Sequence, residues 1–170
     1  YYSRSAGKRH PVTLDDYRNS PLGQTLTYLE PFVEAGDSGL FLMENSGELL
    51  ARAPLNDVTK ARTDFVVQVG PLGIISYGLP RDVYVIDRYG LAWALGAHLR
   101  LHERRRPGHE KDVPTAWSLA LFSSANDLPG EASAADVAAA RAALACGGFP
   151  DLFSSSQDGL GFSQIRSNLS

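Results

Sequence analysis

The sequence predicts an α+β fold: a mainly antiparallel or mixed sheet of about five strands, covered by helices. Three observations lead there. Five short runs rich in β-branched, aromatic and leucine residues fall between residues 39 and 87, separated by Gly, Pro, Asn and Asp. Segments with apolar residues every three or four positions lie on both sides of that block. Strands grouped together, with most helices grouped after them, belong to α+β architecture rather than to a regular βαβ alternation.

In chain order, residues 1–20 begin polar and basic, with Arg4, Lys8, Arg9 and His10. Thr13 followed by Asp16 resembles a capping box in which Asp replaces Glu, so a short helical turn is expected there. Ser20-Pro21 is a second helix start, and Leu22, Leu26, Leu29 and Phe32 recur at helical spacing, predicting a helix over about 21–30 with Pro31 near its end. Leu40 to Met43 and Leu49 to Ala51 flank a Gly-containing loop and predict a hairpin. A second hairpin is expected from Phe65 to Val69, a Gly70-Pro71-Leu72-Gly73 turn, and a strand over Ile74 to Tyr77. Val83 to Asp87 is the fifth strand. Short connections between these strands favour antiparallel pairing, because parallel neighbours need long crossovers.

Beyond the sheet, Leu91, Leu95, His98, Leu99 and His102 predict an amphipathic helix over about 91–103. Pro114 to Phe122 predicts a short helix, and Ser133 caps a clear one over Ala134 to Ala145, stopped by Gly147-Gly148 and Pro150. The Ser-, Gly- and Asn-rich tail from Ser154 is expected to be extended or irregular.

With 170 residues, 44% apolar and 21% charged, the chain suits one soluble globular domain, residues 1–170. With no initiating Met, no signal peptide and no long apolar run, the chain suits either a trimmed soluble protein or a soluble domain excised from a larger one. The aromatic start Tyr1-Tyr2, running directly into patterned sequence, favours excision. A net charge of -3 argues against a nucleic-acid partner. The charge is unevenly placed, however: residues 98–111 hold Arg100, Arg104, Arg105, Arg106 and Lys111 against Glu103 and Glu110, with three histidines besides. The one cysteine, Cys146, excludes an internal disulfide and a cysteine-built metal cage.

Candidate functional residues concentrate in Arg81 to Lys111. Asp87 ends a strand, where loops place working carboxylates, though it equally suits a loop cap or a partner for Arg88. Arg104 to Lys111 combines guanidinium forks and an ammonium group, suited to phosphate or carboxylate, with Gly108 allowing close approach of a ligand. His109 is a candidate donor or acid–base group; the alternative for the whole string is a solvated basic loop. His98 and His102 have metal-ligand spacing but no evident third ligand, so no metal site is expected. Trp93, Trp117 and several tyrosines can stack on sugar rings or fill the core. No nucleophile elbow, phosphate loop or dinucleotide fingerprint occurs, and no catalytic residue is assigned.

Ile86-Asp87-Arg88-Tyr89-Gly90-Leu91-Ala92, Ala97-His98-Leu99 and above all Arg106-Pro107-Gly108-His109-Glu110-Lys111 resemble the C-terminal soluble domain of actinobacterial terminal β-1,2-arabinofuranosyltransferases, polytopic membrane glycosyltransferases of the GT-C type. Tyr1-Tyr2, Gly7, His10 to Thr13 and Asp16-Tyr17 agree with the start of that domain, so the resemblance touches residues 1–117. The chain departs from the family pattern at Trp93-Ala94, where Asp-Pro is expected. The resemblance implies a domain on the extracytoplasmic side of the cell membrane, with no cofactor of its own. Its implied partners are the transmembrane half of the same protein, a cell-wall arabinan acceptor, and a polyprenyl-phosphate-linked arabinose donor. It further implies substrate-binding or positioning roles for Asp87, Arg88, Trp93, Arg106, His109, Glu110 and Lys111, with the catalytic carboxylates in the membrane half. A non-catalytic carbohydrate-binding module and a partner-docking scaffold are the alternatives.

Overall fold

The computed structural model describes residues 13–19, 23–44, 46–70, 72–100 and 111–152. Its centre is a four-stranded mixed sheet built from β1 (Gly39–Met43), β2 (Leu49–Ala53), β3 (Phe65–Val69) and β4 (Tyr84–Asp87), in the order β2-β1-β3-β4. β1 and β2 form the expected antiparallel hairpin, with a register irregularity between Leu42 and Met43. β1 pairs with β3, and β3 with β4, in parallel.

Helices α1 (Leu14–Arg18) and α2 (Gln24–Glu34) precede the sheet, and α3 (Asp57–Lys60) joins β2 to β3. α4 (Leu72–Gly78) joins β3 to β4, and α5 (Ala94–His98), α6 (Thr115–Phe122) and α7 (Ala134–Leu144) follow. The sheet separates two apolar layers because successive strand residues point to opposite faces. Phe41, Met43, Val67 and Val69 pack with Leu26, Leu29 and Ile75 of α2 and α4. Leu40, Leu42, Val66 and Ile86 pack with Trp93, Leu95, Leu119, Phe122 and Val137 on the other side. Every residue of β1 and β3 is buried, as expected of parallel strands covered on both faces.

The strand expected over 74–77 is a helix, α4. Leu72, Ile75 and Leu79 turn inward at spacings of three and four while Tyr77 is 78% exposed, a pattern a strand would not produce. α4 then lies in the crossover that makes β3 and β4 parallel, which corrects the expected antiparallel pairing at that place. Gly78 permits the tight contact between α4 and α2, since a Cβ there would lie 2.4 Å from a methyl carbon of Leu26.

α2 runs through Pro31 to Glu34, further than expected, leaving Thr27 without the backbone donor that residue 31 would normally supply. Thr13 and Asp16 do form the reciprocal box: Thr13 N–H donates to Asp16 Oδ2 at 2.9 Å and Asp16 N–H to Thr13 Oγ1 at 3.1 Å. The Ser20-Pro21 start lies outside the described residues, as does the tail from residue 153. α6 and α7 fall where expected, with Ser133 accepting from Asp136 N–H at the start of α7.

Candidate functional site

β1, β3 and β4 run in the same direction, so Met43, Val69 and Asp87 end on one side of the sheet. In open sheets of this kind, ligand-facing loops leave the carboxyl ends of the strands. Here the loop after β4 is held by Asp87 itself. Its carboxylate is 3% exposed and accepts three backbone N–H groups: Tyr89 to Oδ1 at 2.9 Å, Leu91 to Oδ2 at 2.7 Å and Ala92 to Oδ2 at 2.9 Å. The backbone adds Gly90 N–H to Asp87 O at 3.0 Å and Arg88 N–H to Val69 O at 2.9 Å. A buried anion bound by several N–H groups is a structural anchor.

This anchor explains why the helix expected over 91–103 is only α5, Ala94–His98. The N–H groups of Leu91 and Ala92 are already engaged, Gly90 takes a left-handed φ of 71°, and Leu99 is extended. Gly90 and Gly96 then approach so closely that a Cβ built on Gly96 would lie 2.5 Å from Gly90 Cα. Sequence reasoning missed this pairing. The glycine six residues beyond Gly90, within a predicted helix, was the available signal.

Arg88 is tied outward. Its Nε donates to Asp112 Oδ1 at 2.8 Å, and its carbonyl accepts Val113 N–H at 2.9 Å. The hydrogen bond to Asp112 raises the guanidinium above its usual value, burial opposing it. As a half-exposed pair it contributes at most about 1 kcal/mol to stability. Lys111 Nζ donates to Gly96 O at 2.7 Å and Ala97 O at 2.6 Å, where a cation suits the carbonyl end of α5. Asp112 had not been anticipated; its place beside Lys111 at the end of a charge run was the only hint.

The structure thus brings Asp87, Arg88 and Lys111 together around the loop after β4, with Leu91 projecting 65% exposed from it. Trp93 is placed elsewhere, in the core: it is 3% exposed, 6.4 Å from Phe122 between ring centroids, and presents no face to solvent. Arg106, His109 and Glu110 lie outside the described residues, and so does His102. His98 Nδ1 lies 2.8 Å from Ala94 O, a local bond within α5. No group of three metal-ligating side chains occurs among the described residues. No helix among them is long and apolar enough to cross a membrane.

Chemically, the cluster can hold a rigid, partly apolar, basic-edged loop in place. Asp87 has both oxygens engaged by backbone donors and is 3% exposed, so it acts on the loop rather than toward solvent.

The chain is 30% identical over 161 aligned residues to the terminal beta-(1->2)-arabinofuranosyltransferase of Mycobacterium tuberculosis. That alignment covers 86% of this chain and 25% of the relative, so the chain spans about a quarter of that protein's length. No solved structure matches. The family model described as the AftB family C-terminal domain matches residues 47–170, which include every strand but β1 and all of the β4 loop cluster, and the chain therefore belongs to the AftB family.

Proposed function

We propose that this chain is the extracytoplasmic C-terminal domain of a membrane arabinofuranosyltransferase, and that it positions the acceptor glycan or closes over an active site located in the rest of the enzyme. The whole enzyme would transfer arabinofuranosyl units from a polyprenyl-phosphate donor to cell-wall arabinan. The relative's name supports the reaction class. The observation that supports a non-catalytic role for the domain is the burial of Asp87 and its three bonds to the N–H groups of Tyr89, Leu91 and Ala92, which make the acid that ends β4 a fastening.

The fastening has a use in such an enzyme. A loop fixed at Asp87, Arg88 and Lys111 holds exposed Leu91 outward at low entropic cost, as an interface element requires. In this role Arg106 and His109 contact the membrane half or the donor phosphate, Glu110 contacts the membrane half or acceptor hydroxyls, and Lys111 acts as a positioning residue.

The test is charge reversal in the full-length enzyme. Arg106→Glu is expected to reduce arabinofuranosyl transfer at least tenfold while the protein remains folded and membrane-inserted. Unchanged transfer in that variant would overturn the proposal.

A further inference from the structure

α6 and α7 enclose an open groove of about 440 Å³ on the face of the molecule that carries the first turn of α7. Its apolar lining comes from Trp117, which is half-buried, and from the alanines Ala139, Ala140 and Ala143. Glu131 and Asp136 supply carboxylates along the same groove, and Pro114 lines it three residues beyond Lys111. The groove therefore adjoins the β4 loop cluster, and Glu131 is close enough to Arg88 to strengthen its charge.

We infer that this groove is a subsite for a neutral, polyhydroxylated ligand: one or more pentofuranosyl units of the acceptor glycan, stacked on Trp117 and hydrogen-bonded by Glu131 and Asp136. The inference rests on the acceptor-positioning role proposed above and gives that role a place. An aromatic ring beside methyl groups suits the C–H face of a sugar, and carboxylate oxygens are strong acceptors for its hydroxyl groups.

The apolar lining of Trp117 and the alanines favours the face of a sugar ring over an extended cationic side chain. Glu131 acts on the Arg88 guanidinium only as the smallest of the influences on it, Asp112 being the direct partner of that group. Asp136 lies in the first turn of α7, where the helix end carries partial positive charge, and its Oδ2 accepts from Ser133 Oγ at 2.6 Å. Both carboxylates thus retain lone pairs for hydroxyl donors. The alanines matter by their size. Ala140 is buried between the helices, but Ala139 is exposed and lines the groove, where a longer side chain would fill the space without entering the core.

Trp93 and Trp117 are the protein's two tryptophans, so an isotope-labelled sample of the 170-residue chain has two indole N–H signals to follow during titration with a synthetic arabinofuranosyl oligosaccharide. The expected result is a shift of the Trp117 signal, with the buried Trp93 signal unmoved. Ala139→Leu, a substitution compatible with a helix, is expected to weaken binding at least tenfold without lowering thermal stability. Trp117→Ala is expected to abolish it. Binding that leaves the Trp117 signal in place and is indifferent to Ala139→Leu would overturn the groove while leaving the acceptor-positioning role intact. A lysine- or arginine-rich peptide that shifts Trp117 more than the oligosaccharide does would overturn the neutral-ligand assignment. Absence of any saccharide binding at millimolar concentration would overturn the groove and acceptor contact by this domain together. Closure over the active site would then be judged by the Arg106→Glu enzyme alone.

Discussion

Replacing Asp87 by Asn tests whether a buried carboxylate is what holds the loop after β4. The native carboxylate receives one N–H on Oδ1 and two on Oδ2. An amide can keep the Leu91 and Ala92 bonds by placing its oxygen at the Oδ2 position, but its NH2 then faces the Tyr89 N–H, donor against donor. One bond to a charged acceptor is lost, about 1.5–3 kcal/mol, and the two that remain fall to roughly half their strength without the charge. Relief of the cost of burying a charge offsets part of this, leaving a net loss of about 3 kcal/mol. For a chain of this size that corresponds to a fall of about 6–12 °C in Tm. Urea unfolding should show the midpoint reduced by about 1–2 M with an unchanged slope. A variant within about 0.5 kcal/mol of the wild type, against the usual scatter of surface substitutions, would refute the anchoring role.

Gly96→Ala should destabilise by about 2–3 kcal/mol in urea unfolding, because the new Cβ would lie 2.5 Å from Gly90 Cα; the opposite sign would follow if helix propensity decided the outcome, since Ala is the better helix former. Lys111→Met keeps the aliphatic stem but removes two bonds to the carbonyls of α5, with an expected loss of about 1–2 kcal/mol that equilibrium unfolding would detect. Burial raises the Tyr84 phenol above its usual value near 10, the nearby Arg62 opposing this weakly. Above pH 10 the unfolded chain therefore releases this proton more readily than the folded one, so stability is complete below about pH 10 and falls as pH rises through the window above it. Tyr84→Phe should flatten that alkaline fall in a pH series of thermal melts, and an identical profile would count against the burial of the phenol.

Local signals are the ones that were readable in the sequence. The Thr13–Asp16 box, the Ser133 cap, the hairpin around Gly47 and the Gly stop after α7 each depend on residues a few positions apart, and each is where the pattern puts it. Strand positions for β1, β3 and β4 were equally legible, since runs such as Phe65 to Val69 have few other uses. The 74–77 segment was not. Ile74-Ile75-Ser76-Tyr77 suits either period over so short a length, and only the packing of Ile75 and Leu79 against α2 makes it a helix. That one element also changes the sheet, by turning a hairpin into a parallel crossover.

The candidate site divides in the same way. Asp87, Arg88 and Lys111 stood out in the sequence as unusual charges at the end of a strand, but composition could not say that they face inward toward backbone groups rather than outward toward a ligand. Trp93 illustrates the converse, an aromatic suited to sugar stacking that tertiary packing buries beside Phe122. The sequence by itself determined the element types except at 74–77, the concentration of charge in residues 81–111 and the family resemblance. Tertiary structure alone decided which of those charges hold the loop, and it opened a groove at Trp117 instead of Trp93. The reason is that hydrogen-bond partners such as Asp87 with Ala92, Arg88 with Asp112 and Lys111 with Gly96 are chosen by where the backbone brings each group, after strand parity and helix facing have assigned every side chain a direction.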